Sequence, residues 1–254
     1  MTACLGSVRS LQEAAVIAAA GVPWIDLKEP AAGALGAVSH VVLREVATAW
    51  CGHRTLSATI GDCWDTPDVI PTRVQAVAAA GLDYAKVGLF AQRPGQLLLG
   101  ALADACRATC GVIAVCFAEA PPTAADLDAL AATGLAGLML DTANKQGPGL
   151  CQLLPLPALQ AFVSSVKSRG LLCGLAGRLA LSDVPVLLPL GADYLGFRGA
   201  LCGGSGREAA VDHNAALQLV NLFGVAGQPP PRGALLQEGF RDGHRFCRSG
   251  PWPR

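Results

Sequence analysis

Lysine is scarce in this chain. Of 254 residues, four are lysine and fifteen are arginine, and Lys28, Lys86 and Lys145 each come at or just after a short apolar run. Arginine supplies surface charge equally well but stays protonated, whereas a lysine amine attacks a carbonyl carbon once burial and neighbouring cations lower its pKa. This usage of lysine indicates amine chemistry on a carbonyl compound. The structural alternative is that Lys28 pairs with Asp26, and Lys145 with Asp141, as ion pairs.

A repeated phrase divides the chain into four segments. Each phrase is typical of a helix end, a glycine and a short apolar strand. The phrase glycines are Gly21, Gly81, Gly134 and Gly191, at steps of 60, 53 and 57 residues. A step of this length accommodates two strand–helix units. Further strands are therefore predicted at Ala3–Val8, Thr55–Ile60, Gly111–Phe117 and Leu171–Ala176, and helices at Ser10–Ala20, Pro71–Ala80 and Ala124–Ala132.

Strands alternating with helices in this way predict a (β/α)8 barrel. The alternative is a doubly wound open sheet, but the first strand is not followed by the G-x-G-x-x-G pattern of dinucleotide-binding folds, and the fourfold regularity favours closure. The barrel is predicted to span residues 1–226 as one catalytic domain. Residues 227–254 are rich in proline, glycine and arginine and are predicted to form an irregular tail.

Charged residues recur at fixed positions in the predicted strands. All lie an odd number of residues after their phrase glycine, and because side chains alternate along a strand they share one face. The even positions nearby, such as Ile25 and Leu27, are apolar, as expected beneath the helices. In a (β/α)8 barrel the active site lies at the carboxyl ends of the strands. The charged residues predicted to converge there are Asp26, Lys28, Lys86, Asp141 and Arg198.

The last two strands are followed by glycine-rich stretches. These are "GLAG" at Gly174–Gly177 and "GFRGALCGG" at Gly196–Gly204. Barrels of this kind often bind phosphate there through backbone amides, although glycine in such a loop can mean only a tight turn. The predicted phosphate-binding residues are Gly174, Ala176, Gly177, Arg198, Gly199 and Ala200. Ser7 and Arg9 could hold a second anionic group, but helix capping explains the serines Ser7 and Ser10 equally well.

Composition excludes several classes of protein. Apolar residues make up 52% and charged residues 15%, which suits a sizeable core, and no apolar run approaches the length of a membrane span. Net charge is zero and no basic stripe is present, so nucleic acid is not an expected partner. The ten cysteines lack metal-knuckle spacing and the four histidines are scattered, so no metal is expected and the cysteines are interpreted as reduced apolar residues. A cytoplasmic homo-oligomer is expected, since no secretion signal is recognised and the charged fraction is low.

Six motifs in order connect this chain to a known family. "IDLKEPAAGALGA", "SATIGD", "YAKVGLF", "LMLDTANKQG", "GLAG" and "GFRGALC" together resemble the (5-formylfuran-3-yl)methyl phosphate synthases, also called 4-(hydroxymethyl)-2-furancarboxaldehyde-phosphate synthases, over about residues 3 to 222. The resemblance implies a (β/α)8 enzyme of the class I aldolase kind, with a covalent lysine imine and no metal or organic cofactor. It also implies condensation of two glyceraldehyde 3-phosphate molecules to a phosphorylated furan aldehyde, with release of phosphate and water, for the furan part of methanofuran or methylofuran.

The resemblance also implies roles for single residues. Lys28 is expected to form the Schiff base and Lys86 to accept a proton, with Asp26, Asp141 and Lys145 as polar groups around them. Arg178, directly after GLAG, departs from the small residue expected there. Two other functions remain open: another phosphate-binding barrel enzyme, such as a sugar-phosphate isomerase or a different aldolase, and a barrel that binds a phosphorylated metabolite without catalysis.

Overall fold

A closed barrel of eight parallel strands forms the centre of the computed structural model, which describes residues 2–63, 65–90, 94–203 and 206–224. Each strand pairs with its neighbours in sequence, and the first pairs with the last. The strands are β1 Ala3–Val8, β2 Trp24–Leu27, β3 Thr55–Thr59, β4 Tyr84–Gly88, β5 Gly111–Phe117, β6 Gly137–Asp141, β7 Leu172–Leu175 and β8 Tyr194–Phe197. The predicted (β/α)8 fold is confirmed, and the predicted tail, residues 227–254, lies outside the described residues.

Helices cover the outside of the barrel. They are α1 Leu11–Ala19, α2 His40–Trp50, α3 Ile70–Ala79, α4 Gln96–Ala105, α5 Ala124–Ala131, α6 Leu150–Leu153, α7 Leu156–Lys167, α8 Val184–Leu187 and α9 His213–Leu222. The Ser10 hydroxyl accepts a hydrogen bond from the Glu13 amide and so begins α1 as an N-cap. A glycine follows shortly after α1, α3, α5 and α8. All four have positive φ, which explains why glycine recurs in each repeat: Gly21, Gly81, Gly134 and Gly191. No helix among the described ranges combines the length and apolarity that membrane crossing requires.

Two apolar regions hold the barrel together. The larger lies between the strands and the helices and includes Ile25, Leu27, Ala85 and Val87, so the predicted outward face of these strands is confirmed. The smaller fills the barrel interior, where Trp24 packs against Tyr84 and Tyr194 at ring-centroid distances of 5.1 and 4.5 Å. These rings close the lower part of the barrel, so the charged residues above them form the floor and walls of an open mouth.

Gly174 belongs to this interior packing. A Cβ atom at this position would lie 2.2 Å from Cζ of Tyr194, which is far inside contact distance. The glycine therefore provides space for the tyrosine ring next to β7. This packing accounts for glycine at position 174 without any ligand.

We expect Gly174→Ala to lower the free energy of unfolding by about 1–3 kcal/mol, because the added methyl group displaces the Tyr194 ring. Urea denaturation measures the change. Gly100→Ala is the matched control: Gly100 is exposed on α4 with open space around its Cβ position, and the substitution should stabilise the helix by about 0.5–1 kcal/mol. Equal effects of the two substitutions would contradict the packing role of Gly174.

Candidate active site

A cavity of about 340 Å³ opens at the carboxyl ends of the strands. This volume lies near the lower end of the range for small-molecule sites, about 300–1,000 Å³. Ten of the residues predicted from the sequence to form the site line this cavity: Asp26, Lys28, Lys86, Asp141, Lys145, Ala176, Gly177, Arg198, Gly199 and Ala200. Gly174 does not line it and instead lies beside Tyr194, its register partner on β8. Charged side chains from separate strands therefore line one cavity, and their roles in a reaction stay predictions.

Asp26 is fixed by serines from the two neighbouring strands. Ser7 on β1 and Ser57 on β3 lie in register with Asp26 and donate hydrogen bonds of 2.9 and 2.5 Å to its two carboxylate oxygens. The Trp24 indole N–H donates to the Ser57 hydroxyl at 3.0 Å, which orients it toward Asp26. The carboxylate is thus held at the base of the mouth by a chain of buried donors.

Lys86 forms an ion pair with Asp26. Its Nζ lies 2.9 Å from Asp26 Oδ1, and both side chains are almost fully buried. The contact lacks hydrogen-bond geometry, so Nζ has no hydrogen-bond acceptor among the described residues. Nζ also lies 5.5 Å from the centroid of the Tyr194 ring, within the range of a cation–π interaction. An amine with unused donors remains directed at the cavity.

A second cluster joins Lys28, Asp141 and Lys145. Lys145 Nζ contacts Asp141 Oδ1 at 2.6 Å, and Lys28 Nζ lies 3.8 Å from Asp141 Oδ2. Burial alone would raise the pKa of Asp141, but Lys145, Lys28 and the Thr142 amide lower it below its usual value, so this carboxylate stays ionised. Of the two ion pairs named as the structural alternative, that of Lys145 with Asp141 is present, whereas Asp26 pairs with Lys86 and not with Lys28.

The loop that carries Lys145 is shaped by its own side chains. Glu119 accepts hydrogen bonds from the amides of Ala143 and Asn144, each at 3.0 Å. The Asn144 side-chain oxygen accepts from the Gln146 and Gly147 amides and forms a tight turn. The sequence "TANKQG" therefore directs Lys145 back toward β6.

Lys28 has the chemical character of a nucleophile. Burial lowers its pKa from 10.5 to about 8, with Lys145 and Arg207 acting in the same direction and Asp141 and Asp26 opposing them. An amine with a pKa near 8 is partly neutral at physiological pH, and only the neutral form attacks a carbonyl carbon.

The loops after β7 and β8 present backbone amides to the cavity. The amides of Gly177, Gly199 and Ala200 have no hydrogen-bond acceptor among the described residues. Gly177 has φ +108°, and a Cβ atom there would lie 2.7 Å from Thr142 Cγ2, so only glycine fits. These amides suit an oxyanion such as phosphate.

Arg198 lines the cavity but is already fully hydrogen-bonded. It contacts Glu13 through Nη1 at 2.5 Å and Nη2 at 3.2 Å, and it donates to the carbonyls of Ser7, Arg207 and Ala209. These contacts employ all five guanidinium N–H groups. Binding of phosphate by the Arg198 side chain, as predicted, would require breaking them. In this structure the guanidinium instead joins β8 to α1.

Three groups at the site were missed by the sequence reasoning. Glu13 is the partner of Arg198, Ser57 orients Asp26, and Arg207 lines the cavity. Ser57 could have been found, because it holds an inward position in its strand next to the register of Asp26. Glu13 looked like an ordinary first-turn helix residue, and Arg207 lies in an irregular loop without periodicity. Ser7, proposed for an anion, instead donates to Asp26.

The fold and the site define a (β/α)8-barrel enzyme whose amines and carboxylates meet at the carboxyl ends of the strands. The family model described as 4-HFC-P synthase matches residues 4–220 of the chain. The chain belongs to the 4-HFC-P synthase family, which confirms the resemblance of the motifs.

Similar proteins agree with this assignment. A Methylorubrum extorquens protein, provisionally named a (5-formylfuran-3-yl)methyl phosphate synthase, is 40% identical over 86% of this chain and 90% of its own length. The (5-formylfuran-3-yl)methyl phosphate synthase of Methanopyrus kandleri is 36% identical over 76% of this chain and 87% of its own. Among solved structures, 3-hexulose-6-phosphate synthase from Salmonella typhimurium has a TM-score of 0.65 at 17% identity, covering 87% of this chain and 98% of that one, which shows the fold alone.

Because Lys28 has a pKa of about 8, we expect its amine to become reactive near pH 8, below the ordinary lysine value of 10.5. Reductive methylation with ¹³C-formaldehyde, followed by NMR titration, measures this midpoint, and Lys28→Arg identifies the signal. Asp141→Asn should lower the midpoint further, since the Asp141 carboxylate stabilises the ammonium form. A Lys28 midpoint near 10.5 would contradict the assignment of a buried, lowered-pKa amine.

Removal of Glu13 should leave Arg198 buried without its charge partner. We expect Glu13→Ala to lower the free energy of unfolding by about 3–5 kcal/mol. Urea denaturation measures the loss, and Glu45→Ala, at an exposed position on α2, is the control, with an expected effect within about 0.5 kcal/mol. The double change Glu13→Leu with Arg198→Met should cost less than Glu13→Ala. Similar losses for Glu13→Ala and Glu45→Ala would show that the pair is not structurally required.

Proposed function

We propose that this enzyme condenses two glyceraldehyde 3-phosphate molecules into (5-formylfuran-3-yl)methyl phosphate, with a Schiff base on Lys28. The observation that carries the proposal is Lys28 itself, a buried amine of pKa about 8 on the wall of a cavity that also presents free amides. The names of the relatives supply the product. The atoms balance when two three-carbon phosphates give the six-carbon furan phosphate, one phosphate ion and two molecules of water.

The reaction begins with neutral Lys28. Its nitrogen attacks the aldehyde carbon of one triose, and the adduct loses its hydroxyl group as water to give an iminium ion. This loss needs a proton donor near the carbon. Lys86, whose Nζ has unused donors and no hydrogen-bond acceptor, is the donor we assign, with Asp26 stabilising its charge beforehand.

Lys86 is neutral after this donation and becomes the base of the next step. It removes the proton from the carbon next to the iminium, and the electron pair moves toward the Lys28 nitrogen to form an enamine. The enamine expels phosphate from the neighbouring carbon. The carbon next to the aldehyde of the second triose, after losing its proton, attacks the resulting unsaturated iminium. Ring closure and formation of the furan release two molecules of water. Hydrolysis of the iminium then takes up the water lost at its formation, frees the aldehyde and returns Lys28. Lys86 must be protonated before it can donate, and its ion pair with the Asp26 carboxylate supplies that state. Once it has donated its proton, Lys86 can accept one from the substrate.

The remaining charged groups hold the reactants. Asp141 stays ionised and contacts Lys145, so it stabilises the iminium on Lys28 while Lys145 faces the developing oxyanions. The free amides of Gly177, Gly199 and Ala200 bind the phosphate of the imine-forming triose. We propose that the product supplies the furan part of methanofuran or methylofuran. We also propose that the enzyme is a cytoplasmic homo-oligomer and that its reaction requires no metal or organic cofactor.

Lys28→Arg should reduce turnover by about 10³-fold or more, because arginine keeps the charge but cannot form an imine. Product formation from glyceraldehyde 3-phosphate alone is measured by furan absorbance in the ultraviolet and by mass spectrometry. Lys167→Arg is the matched control, since Lys167 is 44% exposed on α7 and pairs with Asp193 outside the cavity.

Borohydride reduction during turnover should trap the adduct on Lys28, as located by peptide mapping. A trapped adduct on any other lysine would overturn the assignment of the Schiff base. Formation of a triose ketone alone would identify an isomerase, and phosphate binding without imine or product would identify a binding protein.

A further inference from the structure

The cavity carries an excess of positive charge. Among the residues that the structure describes, its walls include six cationic side chains and two carboxylates. Glu13 neutralises Arg198 from outside the wall, which leaves a surplus of three charges when Lys28 is protonated and two when it is neutral. A phosphate monoester carries about −1.5 to −2 charges at neutral pH. One bound phosphate therefore compensates half of this surplus or more, and two bound phosphates match or slightly exceed it when Lys28 is protonated.

Two arginines at the mouth hold most of the unused donors. Arg178 follows β7 and donates from Nη1 to the Lys145 carbonyl, and Arg207 follows β8 and donates from Nη2 to the Gly33 carbonyl at 3.1 Å. Each guanidinium has five N–H groups, and the described residues accept one from each. Arg198, with all five employed, provides the contrast.

The backbone brings both arginines to the same opening. Among the described residues, Arg178 is the one non-glycine residue with positive φ, at +52°. It comes directly after Gly177, whose φ is also positive, so the two residues form one tight turn. Arg207 is placed by Arg198, which binds its backbone carbonyl at 2.8 Å. Burial lowers the pKa of Arg207; the carboxylates Asp141 and Glu208 oppose this effect, and the cations Arg198 and Arg178 add to it. Both mouth arginines line the same cavity. Two cations with free donors at one opening are typical of an anion site.

We propose that Arg178 and Arg207 form a second phosphate site, which binds the phosphate of the second triose, the one that reacts with the intermediate on Lys28 and keeps its phosphate in the product. The inference rests on the proposed function, since it assigns a place to the second of two phosphorylated substrates. The first phosphate is held by the amides of Gly177, Gly199 and Ala200, and the second by guanidinium groups above Lys145. The site accepts a small phosphorylated aldehyde and discriminates against the unphosphorylated aldehyde.

Phosphate stoichiometry tests this site directly. Isothermal titration with inorganic phosphate should give two binding events for the unaltered enzyme and one for the double variant Arg178→Gln with Arg207→Gln. The single substitution Arg207→Gln should weaken the second event by about 10- to 100-fold, which corresponds to the loss of one or two charge-assisted hydrogen bonds. Arg107→Gln is the control, because its side chain is 82% exposed beyond α4 and it should retain both events.

Imine trapping separates the two phosphate sites. Borohydride trapping on Lys28 is measured at pH 9, above its pKa of about 8, so that loss of the Arg207 charge does not alter the neutral fraction greatly. The double variant should retain trapping within about threefold and lose furan formation, with a KM increase of at least tenfold for glyceraldehyde 3-phosphate in Arg207→Gln.

Three results would overturn the proposal. They are a single phosphate event in the unaltered enzyme, two events in the double variant, and loss of imine trapping in parallel with loss of product. The test is separable from the proposed function: two arginine-dependent phosphate events in an enzyme that makes no furan would support the second site and reject the reaction.

Discussion

Closure of eight parallel strands places alternate side chains in one small interior, and any charge there must find its partner in the same interior. Three aromatic rings fill the lower part of the interior and leave no space there for the charged side chains: Trp24, Tyr84 and Tyr194. Lys86 and Asp26 therefore pair at the base of the mouth, and Lys28 and Lys145 share Asp141 above them. These side chains are nearly buried, so their ion pairs are stronger than on a surface. Burial also lowers the pKa of Lys28, although Asp141 opposes this effect.

The loops determine which charges are available to a ligand. Arg198 and Arg207 come from the same stretch after β8, yet they have opposite states: the first has its donors saturated by Glu13 and carbonyl groups, and the second has most of them unused. The saturated arginine is a structural connection between β8, α1 and the loop of residues 206–209. By holding the Arg207 carbonyl, it positions the free cation over the cavity. One arginine thus acts on the site through another.

Period and spacing predicted the barrel, its strand limits within about one residue, and the inward face of Asp26, Lys28, Lys86 and Asp141, because alternation along a strand is a local property. Pairing was harder to predict. Asp26 lies two residues from Lys28 but contacts Lys86 of a strand two positions away, since neighbours in a barrel are set by register and tilt. The role of Arg198 depended on Glu13, 185 residues distant in the chain. Gly174 lies in a glycine-rich stretch typical of a phosphate loop, but the space that the Tyr194 ring needs explains why this residue is glycine.

The depth of Lys86 has a consequence for the path of hydrogen atoms. Its side chain is 2% exposed, and Asp26, its nearest charged neighbour, is 3% exposed, so its route to bulk water runs through the cavity itself. A bound triose fills that route. A hydrogen removed from the substrate then remains on the Lys86–Asp26 pair until the ligand leaves, and it is the hydrogen most readily returned to a later intermediate. Deuterium placed on that carbon would accordingly be conserved within the active site while solvent hydrogen enters slowly.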